Sequence, residues 1–172
     1  MKVRILGAAC VVLTSLLAAP LAFADADAPQ TFIKKAIQGD NSEVELGRLA
    51  ASKAEAQGVR DYGTMLAEDH AKAKEQALQI ARGLGVSPPR EPMEKAQREY
   101  EKLQRLSGRE FDREFLRYMI DDHRDDIRDF RDQAAAGNHE VSRMAKEQLP
   151  TLEKHLQTAE HLMQSRDERR RG

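Results

Sequence analysis

Residues 111–130 read FDREFLRYMIDDHRDDIRDF. Phe111, Phe115, Met119, Ile120, Ile127 and Phe130 return every three or four positions, which is the period of one face of an α-helix. His123 falls four residues after Met119, four before Ile127 and seven before Phe130, so an imidazole stands on the apolar stripe near its midpoint. Asp126, three residues on from His123, shares one flank of that face. Asp121, Asp122, Arg124, Asp125, Arg128 and Asp129 read as a solvated face of opposite-charge pairs. Ser107-Gly108-Arg109-Glu110 has the spacing of a capping box ahead of this helix, and Gly137-Asn138 stops it.

Three other segments carry the same period, each with one ionisable residue on its stripe. Between Pro29 and Ala56, Ile33, Ala36, Ile37, Val44, Gly47, Ala50 and Ala54 define an inward face on which Glu43 lies, while Gly39-Asp40-Asn41-Ser42 is poor helix material and predicts a kink or a break. From Gly58 to Gly83-Leu84-Gly85, Val59, Tyr62, Leu66, Ala73, Ala77 and Ile80 place His70 inward and Asp69 at the stripe's edge. From His139 to Gln164, Val141, Met144, Leu149, Leu152, Ala159 and Leu162 bring His155 inward, with Pro150 expected to kink the helix. His161 faces outward and His139 sits at a helix start. Met65, Met119 and Met144 read as core filler.

Alanine, leucine, glutamate, lysine and arginine dominate, tryptophan is absent, and outside the N-terminus no stretch alternates β-branched residues. The expected class is all-α. The first and last helix pairs are joined by short links and must form antiparallel hairpins. The long middle connection, with Ser87-Pro88-Pro89 and Pro92 before a short helix at about Met93 to Leu106, can just span the roughly 40 Å of a helix of that size. These connections predict a ferritin-like four-helix bundle with a long crossover that carries a short extra helix between the second and third.

Lys2 and Arg4 precede an apolar run from Ile5 to Leu21 that ends in Ala22-Phe23-Ala24, the pattern of a secretory signal cleaved before Asp25. The expected organisation is a signal peptide over 1–24, the bundle over 25–164 and a basic tail over 165–172. The destination is then the periplasm or another part of the cell envelope, with no stable membrane span after cleavage. Cys10, the one cysteine, leaves with the signal, so the mature protein has no disulfide and no thiolate ligand. Loss of Lys2 and Arg4 makes the chain two units more negative than its formal −1, which argues against nucleic acid as a partner. The partners left open are a weak contact of the Arg166–Arg171 tail with the envelope surface and a second copy of the chain.

Helices of similar length packed side by side bring their midpoints to one level, so Glu43, His70, His123 and His155 should converge. Three imidazoles and a carboxylate suit one transition-metal ion: iron, manganese, zinc or copper. Asp69 and Asp126 are candidates for a further ligand or for orienting a histidine. The alternative is a metal-free hydrogen-bonded network that only fixes helix register, in a noncatalytic envelope stress or interaction protein. No phosphate loop or serine nucleophile motif is present, and no reaction is named by the residues.

Ser42-Glu43-Val44-Glu45-Leu46-Gly47-Arg48-Leu49-Ala50, Met65-Leu66-Ala67-Glu68-Asp69-His70, Phe111-Asp112, Asp122-His123 and Leu149-Pro150-Thr151-Leu152-Glu153-Lys154-His155-Leu156 together resemble the exported bacterial domain-of-unknown-function family 4142. The resemblance runs from about Phe32 to His161. It implies a ferritin-like fold and export, and no established activity. The di-iron pattern of ferritin-like proteins places Glu three residues before His on two helices, whereas Ala67, Ile120 and Leu152 occupy those positions here. Di-iron chemistry in its usual form is disfavoured.

Overall fold

The computed structural model describes residues 28–137 and 139–171, and the side chains of these up to residue 166. The signal segment, its cleavage site and Cys10 lie outside the described residues. Within them are five helices: α1 (Ala28–Lys53), α2 (Gln57–Gly83), α3 (Glu94–Arg105), α4 (Gly108–Ala135) and α5 (Glu140–Arg171). No strand occurs among the described residues.

The two long hairpins, α1 with α2 and α4 with α5, pack edge to edge, with α2 against α5 and α1 against α4. Asp112, at the start of α4, fixes the directions. Its carboxylate accepts hydrogen bonds from the amides of Glu55 and Ala56 in the α1–α2 turn, both at 2.9 Å, and from Arg166 near the end of α5 at 2.6 Å. α1 and α5 therefore run toward this end of the bundle, and α2 and α4 run away from it. Neighbours around the ring are antiparallel, and residues 84–107 must carry the chain back along the whole bundle. This is the crossover topology expected from the connections, with α3 laid against α1 and α4.

Two apolar clusters form the core. One, around Ile33, Ile37, Ile80, Phe130, Met144 and Leu152, fills the end where α2 stops. The other, around Leu46, Tyr62, Leu66, Phe111, Phe115 and Met119, fills the end where α2 begins. A layer of buried polar residues lies between them: Asp40 and Glu43 on α1, His70 on α2, Asp122 and His123 on α4, and His155 on α5.

Several local expectations are corrected. α1 runs unbroken through Gly39-Asp40-Asn41-Ser42 because tertiary partners hold those residues. Asn41 donates to the carbonyl of Arg90 at 3.1 Å, Ser42 accepts from the amide of Met93 at 3.0 Å, and Asp40 meets His70. Residues that favour turns when exposed to water instead anchor the crossover. Ser107 makes no side-chain cap on α4, which opens on Gly108 at φ +58°. α5 runs past Gln164 to Arg171, with Pro150 inside it. Asp122 is not on the solvated face: it is buried and ion-paired with Lys95 of α3.

Gly47 and Gly63 set the spacing of the first hairpin. A Cβ at Gly63 would stand 2.6 Å from the Gly47 carbonyl oxygen and 2.8 Å from the Ala51 amide nitrogen, and neither backbone atom can swing aside. Gly63→Ala must part the two helices, an overpacking that costs roughly 1–3 kcal/mol and outweighs the roughly 0.5–1 kcal/mol by which alanine is the better helix former. A lowered urea midpoint with an unchanged slope is the expected result.

Candidate metal centre

His70, His123 and His155 come together in the polar layer. Each offers a ring nitrogen, and the three nitrogens lie within 4.8 Å of one another. The ring centroids are 5.3–5.9 Å apart. All three side chains are buried, His123 and His155 completely.

Each ring is held by its other nitrogen. His123 Nδ1 lies 2.9 Å from the carbonyl oxygen of Met119, one turn back, and since a carbonyl only accepts, that nitrogen carries the proton. His155 Nε2 sits 3.2 Å from Asp69 Oδ2, and His70 Nδ1 sits 2.9 Å from Asp40 Oδ1. Burial raises the Asp69 carboxyl, but His155 and Lys72 outweigh it and hold the group below its ordinary value, so it accepts from His155 as a carboxylate. Asp40 is pushed up by burial, opposed by the His70 contact.

His123 and His155 are neutral at pH 7. Burial, reinforced by the other two rings, drives His123 well below 6.5, and burial and His70 bring His155 to about 4 against the pull of Asp69. A neutral ring with one nitrogen protonated leaves a lone pair on the other. His123 Nε2 and His155 Nδ1 thus present lone pairs toward each other, and a nitrogen of His70 completes the group of three. His123 Nε2 and His155 Nδ1 face each other at 3.3 Å with no proton left to share, and His70 Nε2 meets no partner.

The depressed value of His155 has a stability consequence in the metal-free protein. Between about pH 4 and 6.5 the unfolded chain binds a proton that the native ring refuses, so this residue removes stability as pH falls through that interval. At 1.36 kcal/mol per pH unit the full effect is about 3 kcal/mol. Metal-free His155→Gln should lose less stability than wild type between pH 7 and 4.5, as read by urea unfolding.

The other residues singled out in the sequence lie around the cluster. Asp69 orients His155. Asp126 is half-buried and lines a cleft of about 280 Å³ that also reaches His70 and His155. Burial first, then Asp122, raises its carboxyl to about 7. Glu43 sits beside the opposite nitrogen of His123, its Oε1 3.7 Å from Nδ1, outside the three-nitrogen group. Burial first, then Asp122, Asp126 and Asp40, pushes its carboxyl well above the ordinary range.

Asp40, Asp122 and Lys95 complete the layer and escaped the sequence reading, although two left a signal. Asp40 lies four residues after Ala36 and three after Ile37, and Asp122 lies seven after Phe115 and three after Met119. Both positions are on the stripes. The Met119 carbonyl left none, being backbone.

Fold and site define an all-α helical bundle with three buried histidines that could hold a metal. The chain belongs to the family described as a domain of unknown function, DUF4142, whose model matches residues 16–162. Among solved structures it is similar to a DUF305 fragment from Deinococcus radiodurans, with a TM-score of 0.71 at 19% identity, covering 80% of this chain and 95% of that one. That likeness concerns the fold. No curated protein matches the chain.

Proposed function

We propose that this protein is an exported bundle that binds one transition-metal ion through His70 Nε2, His123 Nε2 and His155 Nδ1, and serves metal handling or oxidative-stress protection in the cell envelope. The observation that carries the reading is the convergence of three buried ring nitrogens, two of which, His123 Nε2 and His155 Nδ1, face each other with their rings' protons committed elsewhere. Lone pairs turned toward one another at hydrogen-bond distance repel, and a cation placed among them removes the conflict.

The 3.3 Å between His123 Nε2 and His155 Nδ1 supports one shared ion, since two nitrogens in a tetrahedral shell with bonds of about 2.0–2.1 Å stand roughly 3.4 Å apart. The carboxylate or carbonyl behind each imidazole is the supporting arrangement found around metal-bound histidine. A metal-free polar network accounts for less, because it needs a proton between His123 and His155 that neither can supply and leaves His70 Nε2 unpaired.

An all-imidazole shell favours zinc, copper or iron over manganese, which prefers oxygen ligands. Three protein ligands leave a position for water or an incoming group, as in catalytic rather than closed structural zinc sites. Export rests on the sequence between Lys2 and Ala24. Among the described residues no helix is long and apolar enough to cross a membrane. Equilibrium dialysis of the chelator-stripped protein against zinc, copper, iron and manganese tests the proposal. One ion per chain is expected for zinc or copper, and absence of any stoichiometric ion with all four would reject it.

A further inference from the structure

The cleft beside the cluster touches His70 and His155 at its inner end and the ammonium of Lys72, 75% exposed, at its outer one. Phe32 and Phe130, edge to face at 5.0 Å, form an apolar wall with Leu152. Acidic groups outnumber basic ones around the rest. Most are engaged: Asp40 and Asp69 by the histidines, Asp129 by Lys35, and Glu147 by Gln76 at 3.0 Å.

Asp126 is the exception. Among the cleft's carboxylates it has neither a hydrogen bond nor an ion pair within the described residues. It stands on α4 one turn beyond His123, with Asp122 on its own helix and Lys95, His70 and Lys35 facing it from α3, α2 and α1.

Resting on the metal reading above, we infer that this cleft is the route by which the ion enters and leaves, and that Asp126 is the first protein group to take it. A hydrated divalent cation drawn by the acidic walls exchanges one water for an Asp126 oxygen, then trades its remaining waters for the three nitrogens. No bond beyond the coordinate ones is made or broken. The cleft's volume admits the aquo ion or a complex with a small chelator. Transfer from a folded carrier that keeps its ligands around the ion would not fit.

Asp126→Asn removes the ionisable carboxyl at constant size, and Ala73→Phe, on the half-buried α2 wall, narrows the passage. Stopped-flow uptake of zinc by the metal-free full chain, and release to excess chelator, are the readouts, with circular dichroism confirming the fold. Asp126→Asn should slow uptake roughly threefold to tenfold and flatten its salt dependence, with one ion still bound, and Asp126→Glu should restore it. Ala73→Phe should slow uptake and release alike and leave the affinity unchanged. Wild-type rates in both variants, with one ion bound, would overturn the route and leave the three-histidine site standing. Weakened affinity with unchanged uptake in Asp126→Asn would make the aspartate a permanent ligand and overturn its entry role. A wild-type chain that binds none of zinc, copper, iron and manganese would remove the metal reading itself.

Discussion

His123→Ala will hold no zinc or copper at concentrations that saturate the wild-type chain, and His70→Ala will behave the same way. Each removes one of three nitrogens and leaves two, and Glu43 is not placed to replace it, since it lies beside the opposite ring nitrogen of His123. Losing a residue that merely orients a metal-bound histidine costs about 10–100-fold in affinity, and losing the ligand must cost more. The expected weakening is at least 100-fold in a chelator competition. Asp69→Asn, which keeps His155 and alters only what lies behind it, should fall in the 10–100-fold class. That graded order separates a metal site from a polar network. In a network, His123→Ala would leave His155 Nδ1 without its partner and lower stability with no metal effect to measure.

Asp112→Ala should be the most destabilising single change, at roughly 3–5 kcal/mol. The side chain is fully buried and gathers the α1–α2 turn, the start of α4 and the end of α5 onto one carboxylate. Ala56 is the N-cap of α2, and Asp112 accepts from its amide and from that of Glu55 before it, tying the turn to another helix. Its removal strands two amides and leaves the Arg166 guanidinium, 13% exposed, without its counter-charge. Chemical denaturation of wild type, Asp112→Ala and Asp112→Ala/Arg166→Leu measures this. The double variant should recover part of the loss, because an apolar pair strands no charge. A loss below about 1 kcal/mol in the single variant would show that the three elements are not pinned through this residue. The site is at the end of the bundle, so whatever fraction remains folded should bind metal normally.

The helices, their order and the level at which the histidines meet were legible because each depends on a period. His123 between Met119 and Ile127 could point nowhere but inward once Phe111, Phe115 and Phe130 set the stripe. The crossover was legible from the length of the connection, and Asp112 then confirmed the direction of each helix. What escaped depends on partners far away in sequence. Asp40, Asn41 and Ser42 look like a break because their local preference is for turns, and only Arg90, Met93 and His70 show why they remain helical. Asp122 vanished into a run of alternating charges whose other members do face water. Glu43 is on the stripe as its spacing requires, yet position on a stripe does not say which ring nitrogen it will meet. What raises its carboxyl, burial first and then the charges of Asp122, Asp126 and Asp40, is assembled only in the folded chain.

The account stands most directly on the ligands of the bound ion. X-ray absorption on the zinc- or copper-loaded full chain should show an inner shell with three imidazole nitrogens at about 2.0–2.1 Å. A shell of oxygens without imidazole scattering, or an ion whose surroundings are unchanged in His70→Ala, would contradict it.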